Sequence, residues 1–207
     1  MILGIGHPCT GTGYTAKTLQ NSGFNVGHEV MMKDGIVAWT LVSPARDKLV
    51  IPFTYGVRYK AVPWWKPDTK IIHVARNPVD SLNSVIAEDT KRARIWRQPH
   101  IKNLTKNPCN NAMQSMVQWA ELCRSKNPQI IYRVDVPDDN EKLADYLGAP
   151  INPHTGKYNS KNISRKYKFT RRDIWNQSPE LVDSFINLCL YFGYEEEADI
   201  LTAGRDV

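Results

Sequence analysis

The sequence predicts an α/β fold, a three-layer sandwich in which helices cover a central, mainly parallel β-sheet. Two observations lead to this prediction. Short apolar runs alternate with longer amphipathic stretches along the chain, an order typical of strand–helix–strand units. In addition, a glycine-rich turn joins the first apolar run to the first helical stretch, which is the layout of a turn that binds an anion at a helix N-terminus.

The individual elements follow in chain order. Strands are predicted at Met1 to Ile5, Lys70 to Ala75 and Gln129 to Val134. Helices are predicted at Thr12 to Ser22, Pro78 to Thr90, Asn111 to Arg124, Asp139 to Leu147 and Pro179 to Phe192. The pattern is weaker from Val30 to Trp65, where Lys33-Asp34-Gly35 predicts a hairpin turn. Because no repeat, low-complexity tract or linker interrupts the chain, residues 1–207 are expected to form one domain.

The composition limits the class of protein. A chain of 207 residues with 42% hydrophobic content has room for a full core. Its net charge of +6 favours anionic ligands. The sequence shows no charged leader and no apolar run of about 18 residues, so a cytoplasmic protein without a membrane segment is expected. Wide spacing predicts reduced thiols and no structural zinc for the four cysteines, Cys9, Cys109, Cys123 and Cys189.

The turn from Gly6 to Tyr14 predicts a P-loop-like phosphate site, because its backbone N–H groups converge at the start of a helix. The pattern of a standard NTPase fails here, since Thr12 stands where that pattern has a lysine. The strand ending at Ala75 is followed by Arg76, where a magnesium-binding aspartate would be expected. The turn therefore predicts an anion site without the metal of an ATPase.

Further blocks follow in a defined order. Arg76 follows a strand, and Ser84 comes eight residues later in a helix. Gln118-Trp119, Ile130 to Asp135 and Leu143 to Gly148 come after them. Together with the first turn, these blocks resemble the sulfotransferases that use 3′-phosphoadenosine 5′-phosphosulfate (PAPS), and the resemblance covers most of the chain.

The resemblance implies a PAPS site and release of adenosine 3′,5′-bisphosphate, with no metal required. It assigns the 5′-phosphosulfate to the first turn, through Cys9, Thr10, Gly11, Thr12, Gly13 and Tyr14. It assigns the 3′-phosphate to Arg76 and Ser84, and the adenine to Tyr132 together with Tyr14. Tyr132 is equally interpreted as an ordinary strand aromatic. A late basic segment closes the cofactor site in this family, and the candidates here are Arg165, Lys166 and Lys168.

The resemblance also implies a base that takes the proton of an acceptor. Val26-Gly27-His28-Glu29 lies where the family places this group, with Glu29 the first choice and His28 the second. The acceptor would be a hydroxyl or amine on a small molecule or carbohydrate. His73 lies inside an apolar strand and is interpreted as a core residue.

Cys9 is the clear departure from the family, because a lysine or arginine usually stands there. Lys17, Lys33, Arg58 or a basic loop could supply the missing charge. The departure leaves two alternatives, a divergent nucleotide kinase or phosphatase and a catalytically silent nucleotide-binding module. A phosphatase of the Cx5R type would need arginine where Thr15 stands.

Two stretches, Lys91 to Lys106 and His154 to Arg172, are basic without any acidic residue. One interpretation of both is a solvated loop face. In the other, the first stretch guides an acidic or sugar acceptor, and the second closes the cofactor site as the resemblance implies. No recognised nucleic-acid-reading motif accompanies these charges, so nucleic acid is not the expected partner.

Overall fold

A computed structural model describes residues 1–42, 66–87, 101–102, 104–156 and 169–204. Within these ranges the protein is an α/β fold with five strands and seven α-helices. The strands are β1 (Ile2–Ile5), β2 (Val26–His28), β3 (Gly35–Val37), β4 (Lys70–Ala75) and β5 (Ile130–Arg133). The helices are α1 (Thr12–Asn21), α2 (Pro78–Ala87), α3 (Pro108–Arg124), α4 (Asp139–Leu147), α5 (Arg171–Trp175), α6 (Pro179–Tyr191) and α7 (Glu195–Ala203).

The five strands form one sheet in the order β2-β3-β1-β4-β5, and every pair is parallel. The predicted parallel sheet of an α/β fold is therefore confirmed. Every residue of β1 and all but the first of β4 are buried. Burial of successive residues means that both faces of these strands are covered, as expected for central strands of a parallel sheet.

The predicted elements form with small shifts at their ends. Strand β4 and helix α4 have the predicted bounds, whereas α3 begins three residues before the predicted start at Asn111. Helix α2 is described to Ala87, and the last three residues of its predicted range lie outside the described residues. The sequence did not predict two helices, α5 and α7.

The hairpin predicted at Lys33-Asp34-Gly35 is wrong, because β2 and β3 pair in parallel. The chain turns back directly after β2, where Glu29 has a φ of 58°. Val30 then lies so close to Gly27 that a Cβ there would come 2.0 Å from the carbonyl oxygen of Val30. The chain therefore reverses direction twice between the two parallel strands. The first reversal is at Glu29, and the second is at Lys33-Asp34-Gly35, where β3 begins.

The described residues divide into two compact units. The first unit comprises residues 1–75 and 121–158, and the second comprises residues 76–120 and 159–207. The boundary crosses α3 between Ala120 and Glu121. Each unit is therefore built from two separate stretches of chain.

In the first unit, one core cluster joins the sheet to α1 and α4. Its buried members are Ile2, Ala16, Leu19, Val26, Val37, Ile72, Val74, Ile130, Tyr132 and Leu143. In the second unit, α6 packs on α7 and buries Phe185, Cys189 and Leu201 completely. These cores supply the rigid elements on which the candidate site residues are mounted.

His73 lies in the middle of β4 and is 1% exposed, in agreement with its interpretation as a core residue. Burial, with a smaller contribution from charge repulsion by Arg124, lowers the pKa of His73 from 6.5 to about 3. The folded protein therefore keeps this imidazole neutral at pH values where the unfolded chain binds a proton. Its contribution to stability is complete above pH 6.5 and is lost progressively as the pH falls toward 3.

We expect His73→Gln to remove this part of the acid sensitivity. Between pH 6.5 and 5.0 the wild-type protein should lose about 2 kcal/mol more of its free energy of unfolding than the variant does. Urea unfolding of both proteins at the two pH values measures the difference. Equal pH dependence of the two proteins would show that the pKa of His73 is the same in the folded and unfolded states.

Candidate functional site

The candidate site lies in the first unit, at the loop of residues 6–11 between β1 and α1. Strand β1 is central in the sheet, with β3 on one side and β4 on the other. From β1 the chain goes to β2 at one edge of the sheet, whereas from β4 it goes to β5 at the opposite edge. The carboxyl ends of β1 and β4 therefore form a topological switch point, the place where open parallel sheets usually bind ligands.

The backbone of this loop alternates between conformations of opposite sign. Cys9 has a φ of 72° and Gly11 a φ of 99°, whereas Thr10 between them is not in the positive-φ region. Such alternation turns successive N–H groups toward one side of the chain, which is the geometry of an anion-binding nest. Cys9 adopts a conformation that is unusual for a residue with a side chain.

Gly11 is the N-cap residue of α1 and provides no capping side chain. The first turn of α1 also lacks an acidic residue. The N–H groups and the positive end of the helix dipole are thus not neutralised by side chains of α1, an arrangement that favours an external anion. A Cβ at Gly11 would come 2.7 Å from a methyl group of Val134, so the position requires glycine for space as well as for its φ.

Thr10 fixes the shape of the loop. Its buried hydroxyl donates to the carbonyl oxygen of His7 at 2.7 Å and lies 3.3 Å from that of Val74 in β4. Its backbone N–H also donates to His7, at 3.2 Å. Thr10, a candidate cofactor ligand in the sequence, therefore ties the loop to the neighbouring strand.

His28 is brought to the start of α1. It ends β2, and its Nε2 atom lies 3.4 Å from the hydroxyl oxygen of Thr12. Burial lowers the pKa of His28 from 6.5, and the Glu29 carboxylate opposes this effect. The imidazole is consequently neutral at pH 7 and able to accept a proton.

Glu29, the other base candidate, occupies the turn after β2. Its backbone N–H donates to Val37 at 3.0 Å, and its side chain is half-buried. The positive φ of Glu29 is required for the chain reversal described above. Its position is thus partly explained by the local fold.

The two candidate adenine contacts have different surroundings. Tyr132 is 1% exposed within the core, and its hydroxyl donates to Asn140 at 2.9 Å. This placement favours the interpretation of Tyr132 as an ordinary strand aromatic. Tyr14 is half-buried in α1 and meets the imidazole ring of His154 edge-on, with 5.8 Å between the ring centres.

His154 is a residue that sequence reasoning missed. Its backbone N–H donates to the Thr18 hydroxyl at 3.1 Å, which holds the segment around His154 alongside α1. Tyr14 and His154 are 140 positions apart in the sequence, and no local pattern connects them. The contact depends on tertiary packing.

Arg76 and Ser84 belong to the second unit and are both half-buried. Arg76 precedes α2, and Ser84 lies within it. Between them, the side chain of Asn77 caps the helix, because its Oδ1 atom accepts from the N–H groups of Val79 at 2.9 Å and Asp80 at 3.3 Å. The first turn of α2 is therefore satisfied from within the chain.

The other candidate cations are less informative. Lys17 and Lys33 are exposed. Arg58, Arg165, Lys166 and Lys168 lie outside the described residues. Among the residues that the structure describes, no three His, Cys, Asp or Glu side chains are grouped as a metal site.

Comparisons of the chain with protein-family models, curated proteins and solved structures find no match. In the described part of the chain, no helix has the length and apolar character needed to cross a membrane.

Proposed function

We propose that the protein is a sulfotransferase that moves the sulfuryl group of PAPS to a hydroxyl or amine acceptor. The observation that carries this proposal is the alternating loop before the uncapped N-terminus of α1, at the switch point of a parallel sheet. Its order relative to Arg76 and Ser84 supports PAPS in particular. The proposal includes a three-layer sandwich with a P-loop-like turn.

The proposed cofactor contacts follow from these features. The N–H groups of the loop and of the first turn of α1 would hold the 5′-phosphosulfate, in the way that helix N-termini bind phosphate. Arg76 and Ser84 would hold the 3′-phosphate, with the guanidinium making the stronger, charge-assisted contact. Tyr14, steadied by His154, would contact the adenine, while Arg165 and Lys166 remain candidates from sequence.

In the proposed reaction, the acceptor oxygen or nitrogen attacks sulfur. A bond from the acceptor to sulfur forms while the bond from sulfur to the bridging phosphate oxygen breaks. The electron pair of the broken bond stays on the phosphate of adenosine 3′,5′-bisphosphate, and the acceptor proton goes to a base. The proximity of His28 to Thr12 at the start of α1 favours His28 over Glu29 as this base.

We expect adenosine 3′,5′-bisphosphate to stabilise the protein without magnesium. At about 100 times its dissociation constant, the ligand should raise the free energy of unfolding by roughly 2.7 kcal/mol. A thermal-shift series with AMP, ADP and ATP, each with and without magnesium, provides the comparison. Stabilisation by AMP equal to that by the bisphosphate would contradict the 3′-phosphate assignment, and a magnesium-dependent preference for ATP would favour a nucleotide kinase.

A catalytically silent nucleotide-binding module is the second candidate, and Cys9 is the observation that favours it. Its side chain is short and uncharged where the family usually has a cation. The silent module and the sulfotransferase both predict binding of the bisphosphate, but only the sulfotransferase predicts its release from PAPS in the presence of an acceptor. Release measured with a panel of phenols and amino sugars separates the two.

A further inference from the structure

A network of polar side chains around one buried carboxylate in the second unit ends at the residue next to Arg76. Glu197 of α7 is 8% exposed, and both of its carboxylate oxygens are engaged. Arg171 donates to them from Nε at 2.7 Å and from a terminal nitrogen at 3.1 Å. Asn77 donates to the same carboxylate through Nδ2 at 3.3 Å.

This network fixes the orientation of the Asn77 amide. An ionised carboxylate only accepts hydrogen bonds, so Glu197 requires the nitrogen end of the amide to point toward it. The oxygen end then faces the first N–H groups of α2, where it accepts from Val79 and Asp80. Glu197 thereby sets the start of α2 and the path of the backbone immediately after Arg76.

A second attachment lies beside Ser84. The side chain of Asn83 accepts from the backbone N–H of Phe169 at 2.8 Å and donates to its carbonyl oxygen at 3.4 Å. Phe169 is two residues before Arg171. The short segment from Phe169 to Arg171 is therefore connected to α2 in two ways. Asn83 binds it directly, and Glu197 links Arg171 to Asn77, the residue that caps α2.

Local stability gives an incomplete account of this network. The buried carboxylate of Glu197 is costly to desolvate, and its ion pair with Arg171, which is 43% exposed, contributes little stability because solvent screens it. The position of Glu197 in the first turn of α7 favours a negative charge, but so do those of Glu195 and Glu196, which are exposed. Glu197 differs from these neighbours in its burial, its ion pair with Arg171 and its bond to Asn77, and only the bond to Asn77 connects it to the start of α2.

We propose that Glu197, Arg171 and Asn83 are positioning residues that hold Arg76 and Ser84 at the spacing required by a 3′-phosphate. This inference rests on the proposed function, because it concerns the proposed 3′-phosphate site. With the network intact, the protein should therefore bind nucleotides that carry a 3′-phosphate more tightly than nucleotides that lack one. In this proposal the three residues act through Arg76 and Ser84 and are not themselves ligands of the phosphate.

The test measures dissociation constants of adenosine 3′,5′-bisphosphate and AMP by titration calorimetry. Glu197→Gln, Arg171→Met and Asn83→Ala should each reduce the preference for the bisphosphate by roughly five- to tenfold, with AMP affinity changed less than twofold. The matched controls are Glu195→Gln and Arg172→Met, which make the same chemical changes at exposed neighbouring positions. They should keep the wild-type preference.

Each other outcome overturns the inference in a recognisable way. If the wild-type protein prefers the bisphosphate and the three variants keep that preference, the positioning role is wrong while the proposed function stands. If the wild-type protein has no preference, both are wrong. Equal weakening of both ligands indicates a general structural role, and tighter bisphosphate binding by Glu197→Gln indicates that Arg171 is itself a phosphate ligand. Should Glu197→Gln fail to fold, Arg171→Met and Asn83→Ala decide the question.

Discussion

Replacing His28 with asparagine is expected to lower sulfuryl transfer by about 10²- to 10⁴-fold while leaving the affinity for adenosine 3′,5′-bisphosphate unchanged. Asparagine retains a hydrogen-bonding group beside Thr12, but its amide is not basic enough to take a proton from the hydroxyl or amine that receives the sulfuryl group. Transfer is measured as release of the bisphosphate from PAPS with an acceptor from the phenol and amino-sugar panel. Bisphosphate affinity serves as the control for folding.

Glu29→Gln provides the comparison at the neighbouring position and should have the smaller effect. The pH dependence of kcat/KM adds an independent measurement. Because the imidazole acts as a base in its neutral form and burial lowers the pKa of His28 below 6.5, the acid limb of the kcat/KM profile should have its midpoint below pH 6.5. A larger loss in Glu29→Gln than in His28→Asn would assign the role to Glu29, and full turnover in both variants would refute both assignments.

Gly11→Ala is expected to lower the free energy of unfolding by about 2 to 4 kcal/mol. Two effects combine. A φ of 99° is unfavourable for alanine, and the new Cβ would come 2.7 Å from a methyl group of Val134. Because the loop must shift to relieve this contact, bisphosphate binding should weaken as well. Urea unfolding and titration calorimetry measure the two effects.

Gly23→Ala is the matched control for the backbone effect. Gly23 has a φ of 89°, and a Cβ there would meet nothing within 4 Å. It should therefore show the cost of the positive φ without the steric contact. In the double variant Gly11→Ala/Val134→Ala, removal of the Val134 methyl groups should recover part of the lost stability. Equal costs at Gly11 and Gly23 would show that the loop accommodates a side chain.

The sequence predicts most of the sheet and helices because their signals are local. Strand β4 is an apolar run preceded by turn residues, and α4 ends where Gly148 takes a φ of 73°. The hairpin prediction failed because β3 is held by a distant partner, with Gly35 in register with Ile2 of β1. Helix α5 is only five residues long, too short for a periodic pattern.

The candidate site was predictable to the extent that it depends on backbone geometry. The glycine-rich loop was located from its residue types, since Gly11 is required by both φ and space. The contact of Thr12 with His28 and the bond of Asn77 to Glu197 join residues 16 and 120 positions apart, respectively. Such pairs are set by packing, which one sequence without homologues does not reveal.

The division of both units into two stretches has a consequence for synthesis on the ribosome. Strand β4 leaves the exit tunnel well before its sheet partner β5, because the intervening residues 76–120 belong to the other unit. At translation rates of about 5 to 20 residues per second, β4 waits for roughly 3 to 11 seconds with one edge unpaired. An unpaired edge of an apolar strand is a template for aggregation. Nascent chains stalled before Ile130 should therefore be the species that most needs a chaperone.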